Sequence, residues 1–145
     1  MMKNFIDCNI FRIALLPVLL VLTACAEPSA VALQEQSRVT APGGKVDAVL
    51  ATPATDATVG EVTEIHLVSA GSKHFRAASL RADKASGIRL HWRDANTLLI
   101  RCDAARIFAF TNFWQGAGVD NSEQTVALEL DGCRYPGAAP DKDKS

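Results

Sequence analysis

Ile88-Arg89-Leu90-His91-Trp92-Arg93-Asp94-Ala95-Asn96-Thr97-Leu98-Leu99-Ile100-Arg101-Cys102 is the stretch whose reading decides the fold class. Ile88, Leu90 and Trp92 alternate with Arg89, His91 and Arg93, and Leu98, Ile100 and Cys102 resume the same period of two after a polar break. Successive side chains of a strand point to opposite faces, so this pattern predicts two half-buried strands and a tight turn. A three-residue loop at Asp94-Ala95-Asn96, with Asn96 left-handed, sets Arg93 opposite Thr97 and Trp92 opposite Leu98. Leu90 then meets Ile100, and Ile88 meets Cys102. A two-residue loop instead sets Leu90 against Arg101 and mixes the two faces, which sheet register resists.

The same period extends outward from this hairpin. Val46, Ala48 and Leu50 alternate with Asp47, Val49 and Ala51, after a turn at Pro42-Gly43-Gly44-Lys45. Ile65 and Leu67 lie in Glu61 to Ser69, rich in β-branched residues, ahead of a turn at Ala70-Gly71-Ser72-Lys73. Phe108 and Phe110 share a face that reads as core, and Val126, Leu128 and Leu130 alternate with Ala127, Glu129 and Asp131. Only Asp103 to Arg106 has room for a helical turn. The expectation is an all-β domain over residues 37–135, a small antiparallel β-sandwich or meander.

The two ends read differently. Lys3 and Arg12 precede the apolar run Ile13 to Leu22, which is shorter than the roughly 20 residues a membrane-spanning helix needs and contains Pro17. The run ends at Leu22-Thr23-Ala24-Cys25, which resembles the lipobox of bacterial lipoproteins. That resemblance implies removal of residues 1–24 as a signal peptide, diacylglyceryl transfer to Cys25 and acylation of its new amine. Two or three acyl chains make a firm membrane anchor, because each buried CH₂ contributes about 0.8 kcal/mol. Ala26 stands where an aspartate often marks inner-membrane retention, so lipoprotein sorting points to the periplasmic face of the outer membrane. Residues 25–36 read as a lipidated cysteine and flexible tether, and 136–145 as a disordered tail.

Without residues 1–24 the chain carries 13 basic and 15 acidic residues, which gives no bulk reason to expect nucleic acid as partner. Cys102 and Cys133 remain once Cys8 leaves and Cys25 is lipidated. In an oxidising envelope the pair reads as a disulfide, with two buried thiols as the alternative.

A second resemblance rests on Ala41-Pro42-Gly43-Gly44-Lys45 with the strands Val46 to Leu50 and Glu64 to Val68. These resemble the Ser-Pro-Asp-Gly-Lys pattern that opens blades of TolB-type β-propellers. The same pattern occurs in a group of small, uncharacterised bacterial envelope proteins. Trp92 to Leu98 and Phe110-Thr111-Asn112-Phe113-Trp114 make the second group the closer likeness. Ala41 and Gly43 replace the pattern's Ser and Asp. A propeller needs at least four blades, so the resemblance implies only a strand-turn-strand unit here.

Residues that carry chemistry are sparse. His66, His74 and His91 show no metal-ligand spacing, no cofactor motif is present, and the serines fall in neither a Gly-x-Ser-x-Gly nor a Ser-x-x-Lys arrangement. The expectation is therefore not an enzyme. The outward hairpin face places Arg89 opposite Arg101, with His91 and Arg93 alongside. Like charges directly across a strand pair destabilise it, so something must neutralise them. Either an anionic partner does so, such as a phosphate or carboxylate of the envelope, or Glu61, Glu64 or Glu129 on a neighbouring strand does. Phe113-Trp114 breaks the alternation before a glycine loop: Trp114 either stands exposed as a contact residue or a bulge buries both rings. The sequence thus predicts a lipid-anchored, non-catalytic binding module directed at an anionic envelope component or a periplasmic protein. The alternatives are an inhibitor of a lysozyme-type hydrolase and an envelope hydrolase.

Overall fold

The computed structural model describes residues 32–54 and 61–135. The signal peptide, Cys25, most of the tether and the tail after Tyr135 lie outside the described residues. Eight strands carry the fold: β1 (Leu33–Thr40), β2 (Val46–Pro53), β3 (Val62–Ser69), β4 (Leu80–Ser86), β5 (Arg89–Asp94), β6 (Thr97–Phe110), β7 (Phe113–Ala117) and β8 (Glu123–Arg134). They form one sheet in the order β1-β2-β3-β4-β6-β8-β7, with β5 on β6. The chain is all-β, as the alternation predicts. β1 to β4 run as an antiparallel meander, and every pairing is antiparallel except β6 with β8.

The sheet curls until its inner face encloses one core of Val46, Ala48, Ile65, Leu67, Leu80, Trp92, Leu98, Ile100, Val126 and Leu128. The curl is held where distant strands meet. Trp92 Nε1 donates to the Val39 carbonyl at 2.9 Å, joining β5 to β1. Val119 N–H donates to the Lys45 carbonyl at 3.1 Å, and Ser69 Oγ donates to the Ala117 carbonyl at 2.7 Å.

The hairpin register agrees with the sequence for Arg89–Arg101, Leu90–Ile100 and Trp92–Leu98, but the turn differs. Asp94 pairs with Thr97, and Arg93 is the extra residue of a bulge. A two-residue turn plus a bulge preserves the same facing pairs as a three-residue loop. Asp94 Oδ1 accepts the Asn96 N–H at 2.7 Å, and Asn96 is not left-handed. Other expectations fall. Asp103 to Arg106 is strand, inside β6. Phe108 and Phe110 are 53% and 37% exposed, not core, because the β4–β6 register slips between Arg81–Ala109 and Ala82–Ile107 and leaves Phe108 outside it. β1 begins at Leu33, inside the segment read as tether. Its polar side chains face solvent, so backbone pairing to β2 makes this strand without any apolar alternation.

Cys102 and Cys133 form a disulfide that ties β6 to β8, with Cα atoms 4.5 Å apart. Gly132 permits it: φ is +83°, and a Cβ there would stand 2.5 Å from the Cys102 carbonyl oxygen. Closing a span of 31 residues stabilises by about 3–4 kcal/mol in the chain-entropy picture. The Cys102→Ser/Cys133→Ser double variant is therefore expected to lose about that much in urea unfolding. A loss below about 1 kcal/mol would show the bridge to be energetically idle.

Candidate binding site

The four predicted hairpin residues stand together and exposed, but their charge is answered inside the chain. Arg89 bonds Asp103 at 2.8 Å, Arg101 bonds Asp131 at 2.9 Å, and Arg93 bonds Glu129 at 2.6 Å. The parallel pairing of β8 with β6 sets Asp131 beside Arg101 and Glu129 beside Leu99. Glu129 was among the counter-charges anticipated from sequence; Asp103 and Asp131 were not. All these side chains are more than 40% exposed, so each bridge contributes little stability, about 0–1 kcal/mol. His91 is exposed beside them, with Leu99 as its cross-strand partner.

The opposite, outer face of β2 and β3 carries what sequence reasoning passed over. Period two sends Ile65 and Leu67 inward and therefore Glu64, His66 and Val68 outward, where they face Ala51, Val49 and Asp47 of β2. These outward side chains are nonetheless buried, because residues 70–79 cross over them as a strap. Two polar anchors hold the strap. At one end Asp47, 2% exposed, takes the Gly71 N–H at 2.8 Å and the Arg38 guanidinium at 2.7 Å, while Arg38 also donates to the Ser72 carbonyl. At the other, His66 Nδ1 lies 3.0 Å from the Arg76 carbonyl, and its ring lies against Phe75.

His66 Nε2 lies 3.0 Å from Glu64 Oε2, and Glu64 Oε1 takes the Arg81 Nε–H at 2.8 Å. Both ring nitrogens thus face protein oxygens, the Arg76 carbonyl and the Glu64 carboxylate. Arg81 in turn lies over the exposed Phe108 ring, 5.4 Å from its centre. Among the described residues no group of three or more His, Cys, Asp or Glu is placed to hold a metal ion.

Two recesses flank the strap. One, of about 550 Å³, is a mostly apolar groove lined by Leu33, Val62, Phe75 and Ala78, with Glu64 and His66 at its floor. The other, of about 310 Å³, lies between the end of β3 and β7 and includes Val68, Ser72, His74, Trp114 and Gly116. Trp114 is half-buried and points inward, while Phe113 is 56% exposed, so no bulge buries both rings. The Trp114 ring lies over Gly116, where a Cβ would meet it at 2.4 Å.

Arg76 lines both recesses. It is exposed and, like Arg134 at the end of β8, has no carboxylate partner among the described residues, whereas Arg38, Arg81, Arg89, Arg93, Arg101 and Arg106 all have one; unlike Arg134, it lines a recess. The available signal for this region was the Glu64–His66 spacing, two polar residues sharing one face of an otherwise apolar strand. The comparisons with known proteins return no matching family model, no matching curated protein and no matching solved structure.

Asp47 sets an acid limit on the strap. Burial pushes its carboxyl up, but the Gly71 N–H and the Arg38 guanidinium outweigh this and hold it below the ordinary aspartate value. A depressed carboxyl contributes stability that is fully present above its unfolded-state value, about 3.9, and is lost as pH falls through the folded one. Asp47→Ala is expected to cost about 3 kcal/mol at pH 7, since Arg38 keeps Glu35 as partner, and Asp47→Asn less. Urea unfolding between pH 7 and pH 3 should show the wild type losing stability below about pH 4 and Asp47→Ala losing less over the same window. Parallel curves for the two would remove Asp47 as the cause.

Proposed function

We propose that the mature chain is a lipid-anchored module of the bacterial envelope, held through Cys25, that binds an anionic partner without catalysing a reaction. The observation that carries the reading is Arg76: exposed, without a carboxylate partner among the described residues, fixed through its own carbonyl to buried His66, and set between two recesses. A guanidinium suits carboxylate and phosphate through its planar fork, and a fixed backbone lowers the ordering cost of using it. The contact thus moves from the hairpin arginines, which hold internal carboxylates, to the strap. Engagement of both His66 ring nitrogens supports recognition over general-base chemistry. The acyl anchor would raise the module's effective concentration at the membrane surface.

Two experiments test this. Cys25→Ser is expected to abolish palmitate labelling and release the protein from membranes; unchanged membrane retention would remove the lipid anchor. Separately, benzoate titrated into the full chain should shift the amide resonances of residues 74–78 in the wild type and in Arg101→Gln, but not in Arg76→Gln. Binding retained by Arg76→Gln and lost by Arg101→Gln would return the contact to the hairpin face.

A further inference from the structure

The recess between β3 and β7 is bounded by two strand edges that nothing in the described chain pairs. Ala70 N–H donates to the Lys45 carbonyl, which fixes the alternation on β3: the backbone groups of Ala70, Val68, His66 and Glu64 point to β2. Those of Ile65 and Leu67 therefore point the other way, and Ile65 does accept the Ser79 N–H there. β4 pairs with β3 only over Val62–Ile65, so the N–H and C=O of Leu67 face the recess with no strand partner. Leu67 is only 3% exposed, and a backbone donor and acceptor at so buried a position call for partners.

β7 presents the matching edge. Gly118 N–H donates to the Ser122 carbonyl and Leu128 N–H to the Asn112 carbonyl, so Trp114 and Gly116 are the residues whose backbone bonds β8. The N–H and C=O of Gln115 consequently point away from β8, into the same recess. β3 and β7 share no ladder. The Ser69 hydroxyl joins them through the Ala117 carbonyl, and the slot they bound is lined by Leu67 on one side and Gln115 on the other. Arg76 and His74 stand on its strap side, and the Trp114 ring forms part of its wall.

We infer that this slot takes the carboxyl-terminal end of an extended peptide, which adds to the free edges of β3 and β7 and places its terminal carboxylate on Arg76. Strand addition satisfies the backbone groups of Leu67 and Gln115, which a fatty or aromatic anion cannot do. Charge decides the end group: the slot offers a guanidinium and an imidazole and no carboxylate among its lining residues. Its volume of about 310 Å³ suits the end of a peptide and not a whole strand. The inference rests on Arg76 being the anion contact proposed above and adds the chemical class of the ligand.

The test uses the full chain with acetyl-Ala-Leu-Ala as the free acid, its C-terminal amide, and the acid N-methylated at leucine, with benzoate as a non-peptide anion. The free acid should bind and slow hydrogen exchange at the Leu67 and Gln115 amides at least tenfold. The amide and the N-methylated acid should each bind at least tenfold more weakly, as should the free acid to Arg76→Gln. Gln115→Pro removes the edge N–H without touching a β7–β8 bond, and an edge position tolerates proline. It should lose the peptide and keep benzoate. Equal binding by the N-methylated acid overturns strand addition, and equal binding by the amide overturns the assignment of the carboxylate. Benzoate shifting residues 74–78 while no peptide slows Leu67 or Gln115 overturns the inference and leaves the anion site standing. If neither ligand touches Arg76, both readings fall.

Discussion

Strand β6 has 14 residues and pairs with three other strands, and the closure of the molecule depends on how it does so. Along one edge it takes β5 on its first half and β4 on its second; along the other it takes β8 in parallel. A straight strand with one register cannot serve all three while keeping apolar side chains inside. Two register slips against β4 resolve this, one leaving Phe108 unpaired and one at Lys84, whose φ is +49°. The slips change which parity of β6 faces inward: Leu98, Ile100 and Cys102 before, Ala105 and Ile107 after. Bulges also add twist, and added twist helps an eight-stranded sheet curl far enough for β5 to reach β1 and β7 to reach β3.

The parallel pairing of β6 with β8 has an electrostatic consequence. Bringing β8 against β6 in parallel sets Asp131 and Glu129 beside the hairpin arginines, so a row of like charges becomes a row of exposed, internally neutral pairs. Such pairs add little stability, but they remove the repulsion that β5 and β6 would otherwise carry. The buried polar groups under the strap act differently. Asp47, Glu64 and His66 lie where water is scarce, so each bond they make to strap backbone or to Arg38 and Arg81 replaces one that water supplied in the unfolded chain. The strap is thereby held by polar bonds over an apolar sheet face, and Arg76 inherits a fixed position from a neighbour's imidazole.

Much of the fold was legible because period two is a local property. The β5–β6 hairpin and the inward faces of β2, β3 and β8 follow from residues a few places apart. β1 escaped because an edge strand with solvated side chains needs no apolar pattern, and β4 because Leu80 and Ala82 are too brief a signal among Arg81, Asp83 and Lys84. The candidate site was legible only in the spacing of Glu64 and His66. Arg76 had no signature, since an arginine in a loop reads as solvated surface.

By itself, then, the sequence determined the all-β class, the register of one hairpin and which side chains share a face, because strand geometry converts neighbouring positions directly into sides. The tertiary structure alone decided which charges are neutralised, which outward faces become buried and which strand edges stay open. Those outcomes depend on residues far apart in the chain, such as Arg93 and Glu129 or Ser69 and Ala117, which meet only once distant strands have come together. No local period encodes which distant strands will pair, and that pairing is what separates Arg101, held by Asp131 of β8, from Arg76, which has no carboxylate partner among the described residues.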